Sequence, residues 1–201
     1  MKPFSAPARL TCLLLASATL GGALTACVPL VVGGAVGTAM VSVDRRTSGT
    51  QLEDERIELR ASNSISSLLG DNAHVNVTSW NRQVLLTGEV ATADGRAKAE
   101  QAVMGVENVR GVVNETVVAP PSSFTQRSND TYITSKVKAS IVDAKDLTSS
   151  AFKVVTERGV VYLMGRVTQR EATRAAEIAR GVGGVVKVVR VFEVSSEDEL
   201  K

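Results

Sequence analysis

The apolar residues between positions 53 and 118 change their spacing along the chain, from helical periodicity to alternation and back. A helix is predicted from about Glu53 to Leu69, and its apolar face comprises Ile57, Ala61, Ile65 and Leu68. Strands are predicted around Val75–Val77, over Val84–Val90 and over Val109–Val118, with a second helix before the last strand. The predicted order is helix, strand, strand, helix, strand, which gives a small mixed sheet with helices on one face.

The same pattern occurs a second time. Gly88 corresponds to Gly165 at a shift of 77 residues, and Asp54 corresponds to Asp130 at a shift of 76. Repeats of this kind determine the architecture, so two copies of one small α+β domain are predicted. The predicted bounds are 53–118 and 129–194, joined by a linker over 119–128 and followed by a tail over 195–201. Each repeated glycine is expected to leave room for a helix to approach the sheet.

The first helix of the second copy aligns with the first helix of the first copy. It is predicted to begin at Ser128–Asp130, where side chains can cap it. Its core face is Ile133, Val137 and Ile141, in register with the face of the first copy.

Composition limits what can form the cores of both copies, and surface charge distinguishes one copy from the other. Aromatic residues make up 3% of the chain, so valine and alanine must form both cores. The net charge of +2 hides an asymmetry, because residues 53–118 carry 6 basic and 10 acidic side chains, whereas residues 130–194 carry 11 basic and 7 acidic ones. The surface charges of the copies have therefore diverged, which predicts different roles.

The N-terminus has the pattern of an exported protein. Lys2 and Arg9 precede an apolar run from Leu10 to Leu24, as in a secretory signal peptide. The run ends in Leu24–Cys27, which resembles a bacterial lipobox. That resemblance implies cleavage before Cys27 and attachment of acyl chains to it. An ordinary signal peptide and a single transmembrane helix are the alternative interpretations.

The lipobox interpretation divides the N-terminal region into a signal peptide over residues 1–26 and a lipidated N-terminus with a linker over 27–52. Cys27 is then the sole cysteine of the mature chain, so no intramolecular disulfide is expected. Val28 stands where an aspartate would indicate retention at the inner membrane. The prediction is a lipid anchor in the outer membrane, with the body facing the periplasm.

Enzymatic chemistry has no support in the sequence. No nucleophile–base pair, metal-ligand spacing or phosphate-binding loop is present, so no catalytic residue, metal, cofactor or small-molecule substrate is predicted. His74 is the single histidine and lies beside a loop, and Trp80 is expected at the edge of a core. Nucleic-acid binding is not expected of an exported chain so poor in aromatic residues.

Tyr132, Lys136 and Lys138 give the second-copy helix an aromatic ring beside two lysines. This combination suits an anionic membrane surface, where the ring lies at headgroup depth and the ammonium groups meet phosphates. A solvated helix face with one packed tyrosine explains the same spacing, and the residues alone do not separate the two. Phe124, in the predicted linker, is available either to dock on a domain or to touch a membrane.

The duplicated unit, with its strand glycine and its valine-rich last strand, resembles the BON domain. Asn129–Lys138 and Val161–Glu171 carry the clearest match. The resemblance implies a non-enzymatic protein that binds anionic phospholipid through the first helix of the second domain, supports outer-membrane integrity and gathers at division sites. Carried over by position, the contact falls on Tyr132, Lys136 and their neighbours. With Phe124 from the linker, the predicted membrane-contact residues are Tyr132, Lys136, Lys138, Phe124 and Ile133. Relatives can have tryptophan at the position of Tyr132, so insertion of this smaller ring is expected to be shallower.

The alternative function is an envelope scaffold or chaperone that binds protein partners such as the outer-membrane barrel-assembly machinery. An exposed edge strand over Val185–Val194 could accept a partner strand.

Overall fold

The first domain has the predicted order of elements in a computed structural model that describes residues 44–70 and 73–200. Its elements are α1 (Ser48–Leu69), β1 (His74–Trp80), β2 (Gln83–Val90), α2 (Ala93–Met104), β3 (Gly111–Asn114) and β4 (Val117–Val118). β1 is antiparallel to β2, and β3 and β4 both pair with β2 in parallel. The predicted last strand is therefore interrupted between Asn114 and Val117.

The second domain repeats this arrangement without the interruption. Its elements are α3 (Phe124–Asp143), β5 (Phe152–Glu157), β6 (Val160–Val167), α4 (Gln169–Arg180) and β7 (Lys187–Val194). The strand order is β5-β6-β7, with β6 antiparallel to β5 and parallel to β7. The predicted α+β class, with two small mixed sheets each packed against two helices, is confirmed.

Both first helices begin earlier than predicted, because residues outside the apolar pattern cap them. Thr47 caps α1 by accepting a hydrogen bond from the Thr50 N–H. Ser123 caps α3 in a capping box with Gln126, in which each side chain accepts from the other residue's backbone N–H. Phe124 is consequently the first residue of a helix and not part of a linker.

The predicted helix faces form the two cores with one exception. Ile57, Ala61 and Ile65 are buried against β2 and α2, and the corresponding residues of α3 are buried in the second domain. Leu68 is 56% exposed, and Leu69 packs on the core in its place. The spacing of four residues from Ile65 therefore continues to the helix end.

The repeated strand glycines are required by the neighbouring strand and not by a helix, which corrects the expectation above. Gly88 has φ +103°, and a Cβ there would lie 2.0 Å from the backbone oxygen of His74. Gly165 has φ +155°, and its Cβ would lie 2.1 Å from the oxygen of Ala151. Both positions combine a backbone conformation that favours glycine with a neighbouring backbone too close to admit any side chain.

A buried aspartate near the start of each first helix holds the turn between the first two strands. Asp130 accepts hydrogen bonds of 2.8 Å from the N–H groups of Arg158 and Gly159. Asp54 accepts from the N–H groups of Asn81 and Arg82 in the first domain. All four turn residues have positive φ, the conformation of a tight type I′ hairpin. The aspartates thereby satisfy donors that these turns direct inward.

The two sheets pack against each other through the faces opposite their own helices, here called the outer faces. Trp80 and Leu85 of the first sheet meet Tyr162 and Met164 of the second, and all four are buried. Burial raises the pKa of Tyr162 to about 12, so its phenol stays neutral in this interface. Trp80 thus lies in the domain interface, although it was predicted to lie at the edge of a core. The interface thus forms a third apolar cluster, in addition to the core of each domain.

The segment before α1 binds both domains. The Arg46 guanidinium lies 3.5 Å from the centroid of the Trp80 ring and pairs with Asp54 at 2.8 Å. The Arg45 guanidinium donates two 2.9 Å hydrogen bonds to the carboxylate of Glu171, at the start of α4. Residues predicted as a polar linker therefore fix the domain interface from one side.

This bidentate pair makes stability depend on pH. The hydrogen bonds from Arg45 lower the pKa of Glu171 below its ordinary value of 4.5, against the opposing effect of burial, and the Thr168 N–H lowers it further. A lowered folded-state pKa gives stability that is complete above the unfolded value and is lost as pH falls through the folded value. At pH 7, Glu171→Gln should cost about 1–3 kcal/mol of unfolding free energy.

That cost should shrink steadily as the pH is lowered below about 4.5. Urea unfolding followed by circular dichroism between pH 7 and pH 3 measures it. Glu177→Gln, an exposed change on the same helix, is the control and should show little effect at any pH. A cost for Glu171→Gln that did not vary with pH would contradict the assignment.

Candidate functional site

The outward face of α3 carries a stripe of exposed apolar side chains. Phe124 is 79% exposed, Tyr132 62% and Val142 66%. At about 100° per residue, Phe124 and Val142 lie on the same line five turns apart, and Tyr132 is about 80° away from that line. The stripe, consisting of these three residues, extends over about 27 Å of helix.

The two lysines of the predicted site flank this stripe on opposite sides. The Lys136 ammonium lies 4.6 Å from the centroid of the Tyr132 ring and donates to the carbonyl oxygen of Gly183. Lys138 lies about 40° beyond Val142 on the other flank and has no ion-pair partner within residues 44–70 and 73–200. Positive charge therefore stands on both sides of an exposed apolar strip.

Ile133 does not belong to this surface. It is 1% exposed, packs in the second core with Val137 and Ile141, and approaches the backbone of Gly184. The prediction that it contacts a membrane is therefore wrong in this conformation. Its role is to anchor the helix that presents the stripe.

Val142 was not predicted as part of the site. Its relation to Phe124 emerges only once the helix is known to begin at Phe124, because the two residues are then five full turns apart. A shallow apolar cavity of about 180 Å³ opens beside Val142, between α3 and the start of β5, with Lys138 and Phe152 in its wall.

The corresponding helix of the first domain also offers an apolar stripe, but its charged residues are predominantly acidic. Leu59 is 64% exposed and Leu52 49%, and seven residues of spacing place them on one line. However, α1 carries four acidic and two basic residues, whereas α3 carries two acidic and three basic ones. An anionic surface would therefore distinguish the two helices by charge alone.

Cys27, the predicted lipid attachment residue, lies outside the described residues. None of the helices within residues 44–70 and 73–200 combines the length and hydropathy that a bilayer crossing requires.

Comparison with protein families matches the BON domain twice, over residues 54–120 and 129–196. The chain is 39% identical over 172 residues to the outer membrane lipoprotein DolP of Haemophilus influenzae, covering 85% of this chain and 89% of that protein. It is 35% identical over 152 residues to a 21 kDa hemolysin of Actinobacillus pleuropneumoniae, covering 75% and 78% of the two chains. It is also 34% identical over 117 residues to the osmotically inducible protein Y of Escherichia coli, covering 58% and 56%.

Proposed function

The chain belongs to the BON domain family, with two copies of the domain, and from that premise we propose that it is an outer-membrane lipoprotein that binds anionic phospholipid through α3. The similarity to an outer membrane lipoprotein over most of both chains supports the location. The lipobox ending at Cys27 supports the anchor.

The observation that carries the lipid-binding proposal is the stripe of Phe124, Tyr132 and Val142 between two lysines. Exposed aromatic and aliphatic side chains can enter the headgroup region, while the ammonium groups meet phosphates. Each lysine near an anionic surface contributes roughly 1 kcal/mol, so the contact is weak by itself. A weak contact suffices, because acyl chains on Cys27 would keep the body near the bilayer at a high effective concentration.

Vesicle sedimentation tests this proposal on the unlipidated fragment 41–201, which is one compact unit. The fragment should pellet with vesicles containing phosphatidylglycerol and stay in solution with pure phosphatidylcholine. Raising the salt concentration from about 0.05 to 0.5 M should release it, because screening shortens the range of the lysine–phosphate attraction. Equal pelleting with both lipids would refute the electrostatic part of the proposal.

Tyr132→Glu should reduce pelleting with phosphatidylglycerol at least tenfold. The change replaces the central ring of the stripe by a charge that the phosphates repel, and it should leave the circular dichroism spectrum unaltered because the side chain is exposed. Leu59→Glu is the matched control, since Leu59 is equally exposed on the equivalent helix of the first domain. It should leave binding unchanged, and a similar loss in both variants would remove α3 from the proposal.

A second function, binding of a protein partner, is favoured by the position of β7. This strand has eight residues and lies at the edge of its sheet, where a partner strand can add. If fragment 41–201 fails to pellet with any vesicle, this interaction function becomes the better account.

A further inference from the structure

His74, Glu89 and Glu157 form a cluster, here called the His–Glu cluster, at one end of the domain interface. His74 and Glu89 are direct partners across β1 and β2, so both project from the outer face of the first sheet. Glu157 ends β5 of the second domain. One nitrogen of His74 and one oxygen from each carboxylate lie within 4.8 Å of one another, and His74 Nδ1 is 3.3 Å from Glu89 Oε2.

Both carboxylates of the His–Glu cluster are withdrawn from water, and little positive charge compensates them. Glu89 is fully buried and Glu157 is 6% exposed. Burial raises the pKa of Glu157, and the charge of Glu89 raises it further. Within the described part of the chain, the one cation paired with these carboxylates is the Arg158 guanidinium, 3.1 Å from Glu89 Oε1. Two buried carboxylates thus share one permanent cation. The remaining buried negative charge favours binding of a second cation.

The surrounding groups hold the carboxylates in place. The Asn76 side-chain amide donates to Glu157 Oε2 at 2.8 Å, and the backbone N–H of Ser122 donates to Glu89 Oε2 at 3.1 Å. The Ser122 hydroxyl is itself buried and has no hydrogen-bond partner among the described residues. Hydrogen bonds to ligating carboxylates are the usual means by which proteins orient metal ligands.

A polar cleft of about 410 Å³ leads to the His–Glu cluster from solvent. His74, Asn76 and Glu157 line it, together with hydroxyl side chains of α3 and the cations Arg127 and Lys138. The cleft supplies both an entry path for an ion and water for an open coordination position, as three-ligand zinc sites require.

We propose that His74, Glu89 and Glu157 bind a divalent transition-metal ion of the zinc class and thereby link the two domains. An imidazole nitrogen with only two carboxylates favours zinc over calcium or magnesium, which prefer six or more oxygen ligands. Bonds of about 2.0–2.2 Å place tetrahedral ligand atoms about 3.3–3.6 Å apart. The three ligand atoms lie within 4.8 Å of one another, so binding would draw them closer together. The sequence predicted no metal, because the ligands come from three strands and two domains.

The test uses the full-length protein, free of any histidine tag and purified in a nonionic detergent, after treatment with a chelator. Titration with Zn²⁺ in competition with a chromogenic chelator should show one equivalent bound. Co²⁺ should give the intense visible absorption of a four-coordinate ion. Because His74 is the single histidine of the chain, any imidazole ligand detected by X-ray absorption must be this residue.

Glu157→Gln and His74→Gln should each weaken Zn²⁺ binding at least tenfold, and Zn²⁺ should raise the melting temperature of the unsubstituted protein more than that of either variant. Glu107→Gln, an exposed acidic residue of the first domain, should bind as tightly as the unsubstituted protein. Absence of Zn²⁺ binding overturns the proposal. So does binding that survives both cluster substitutions, which would place the ion elsewhere in the chain. The near-isosteric Glu157→Gln keeps the test decisive if His74→Gln fails to fold.

Discussion

Alanine in place of Asp130 should destabilise the protein by about 3–5 kcal/mol, a large part of the stability of a small domain. The carboxylate is buried and accepts from the backbone N–H groups of Arg158 and Gly159. Removing it leaves one buried and one partly buried donor without this partner, and a buried donor left unpaired costs about 1–3 kcal/mol. Asp54→Ala should cost at least as much, because Asp54 also binds Ser79 and Arg46.

Chemical denaturation of fragment 41–201 measures these losses. Asp130→Asn keeps one acceptor oxygen and should lose less than the alanine variant. Asp143→Ala, at the exposed end of the same helix, should change stability by less than about 0.5 kcal/mol. Equal stability of the Asp130→Ala and Asp143→Ala variants would show that the turn does not depend on the buried carboxylate.

The second large effect is expected from charge placed in the domain interface. Leu85 and Leu86 are neighbours on β2, both fully buried, but Leu85 faces the other domain whereas Leu86 faces its own core. Leu85→Asp should separate the domains while leaving both folded, since it forfeits about 1.5–3 kcal/mol of leucine burial and buries a charge. Leu86→Asp should instead unfold the first domain.

Calorimetry and small-angle scattering distinguish these outcomes. The unsubstituted fragment should unfold in one transition, and Leu85→Asp should give two transitions, a larger radius of gyration and an almost unchanged circular dichroism spectrum. Leu86→Asp should lose part of that spectrum. A single transition at the original temperature for Leu85→Asp would mean that the interface contributes little to stability.

The duplicated architecture was predictable because each helix and strand buries its apolar face within its own domain, and local spacing records that face. The domain interface was harder to predict, since it depends on the second face of each sheet. The sequence does hold a signal: Val84, Leu85 and Leu86 are three consecutive apolar residues, which breaks the alternation expected of a half-buried strand. In the structure, all seven residues of β2 from Val84 to Val90 are buried. A strand covered on both sides lacks the alternation of polar and apolar residues that is used to assign each side chain to one face of the sheet.

The candidate site was predictable in part for a similar reason. Tyr132 and Lys136 are four residues apart, so helical periodicity alone brings them together, as the structure confirms. The inclusion of Ile133 counted a core position as surface, and Val142 was missed because the helix start was placed too late. The His–Glu cluster depends on tertiary packing, because Glu157 comes from the other domain.

The interlocked outer faces have a practical consequence for work with this protein. A gene fragment encoding just one copy would yield a polypeptide with Trp80 and Leu85, or Tyr162 and Met164, bared to water. Exposed apolar patches of this kind tend to self-associate or to adhere to unrelated surfaces. Binding of a single isolated domain to liposomes or to other proteins would then reflect this exposed interface. Point substitutions in the intact two-domain protein are therefore the better way to test each function.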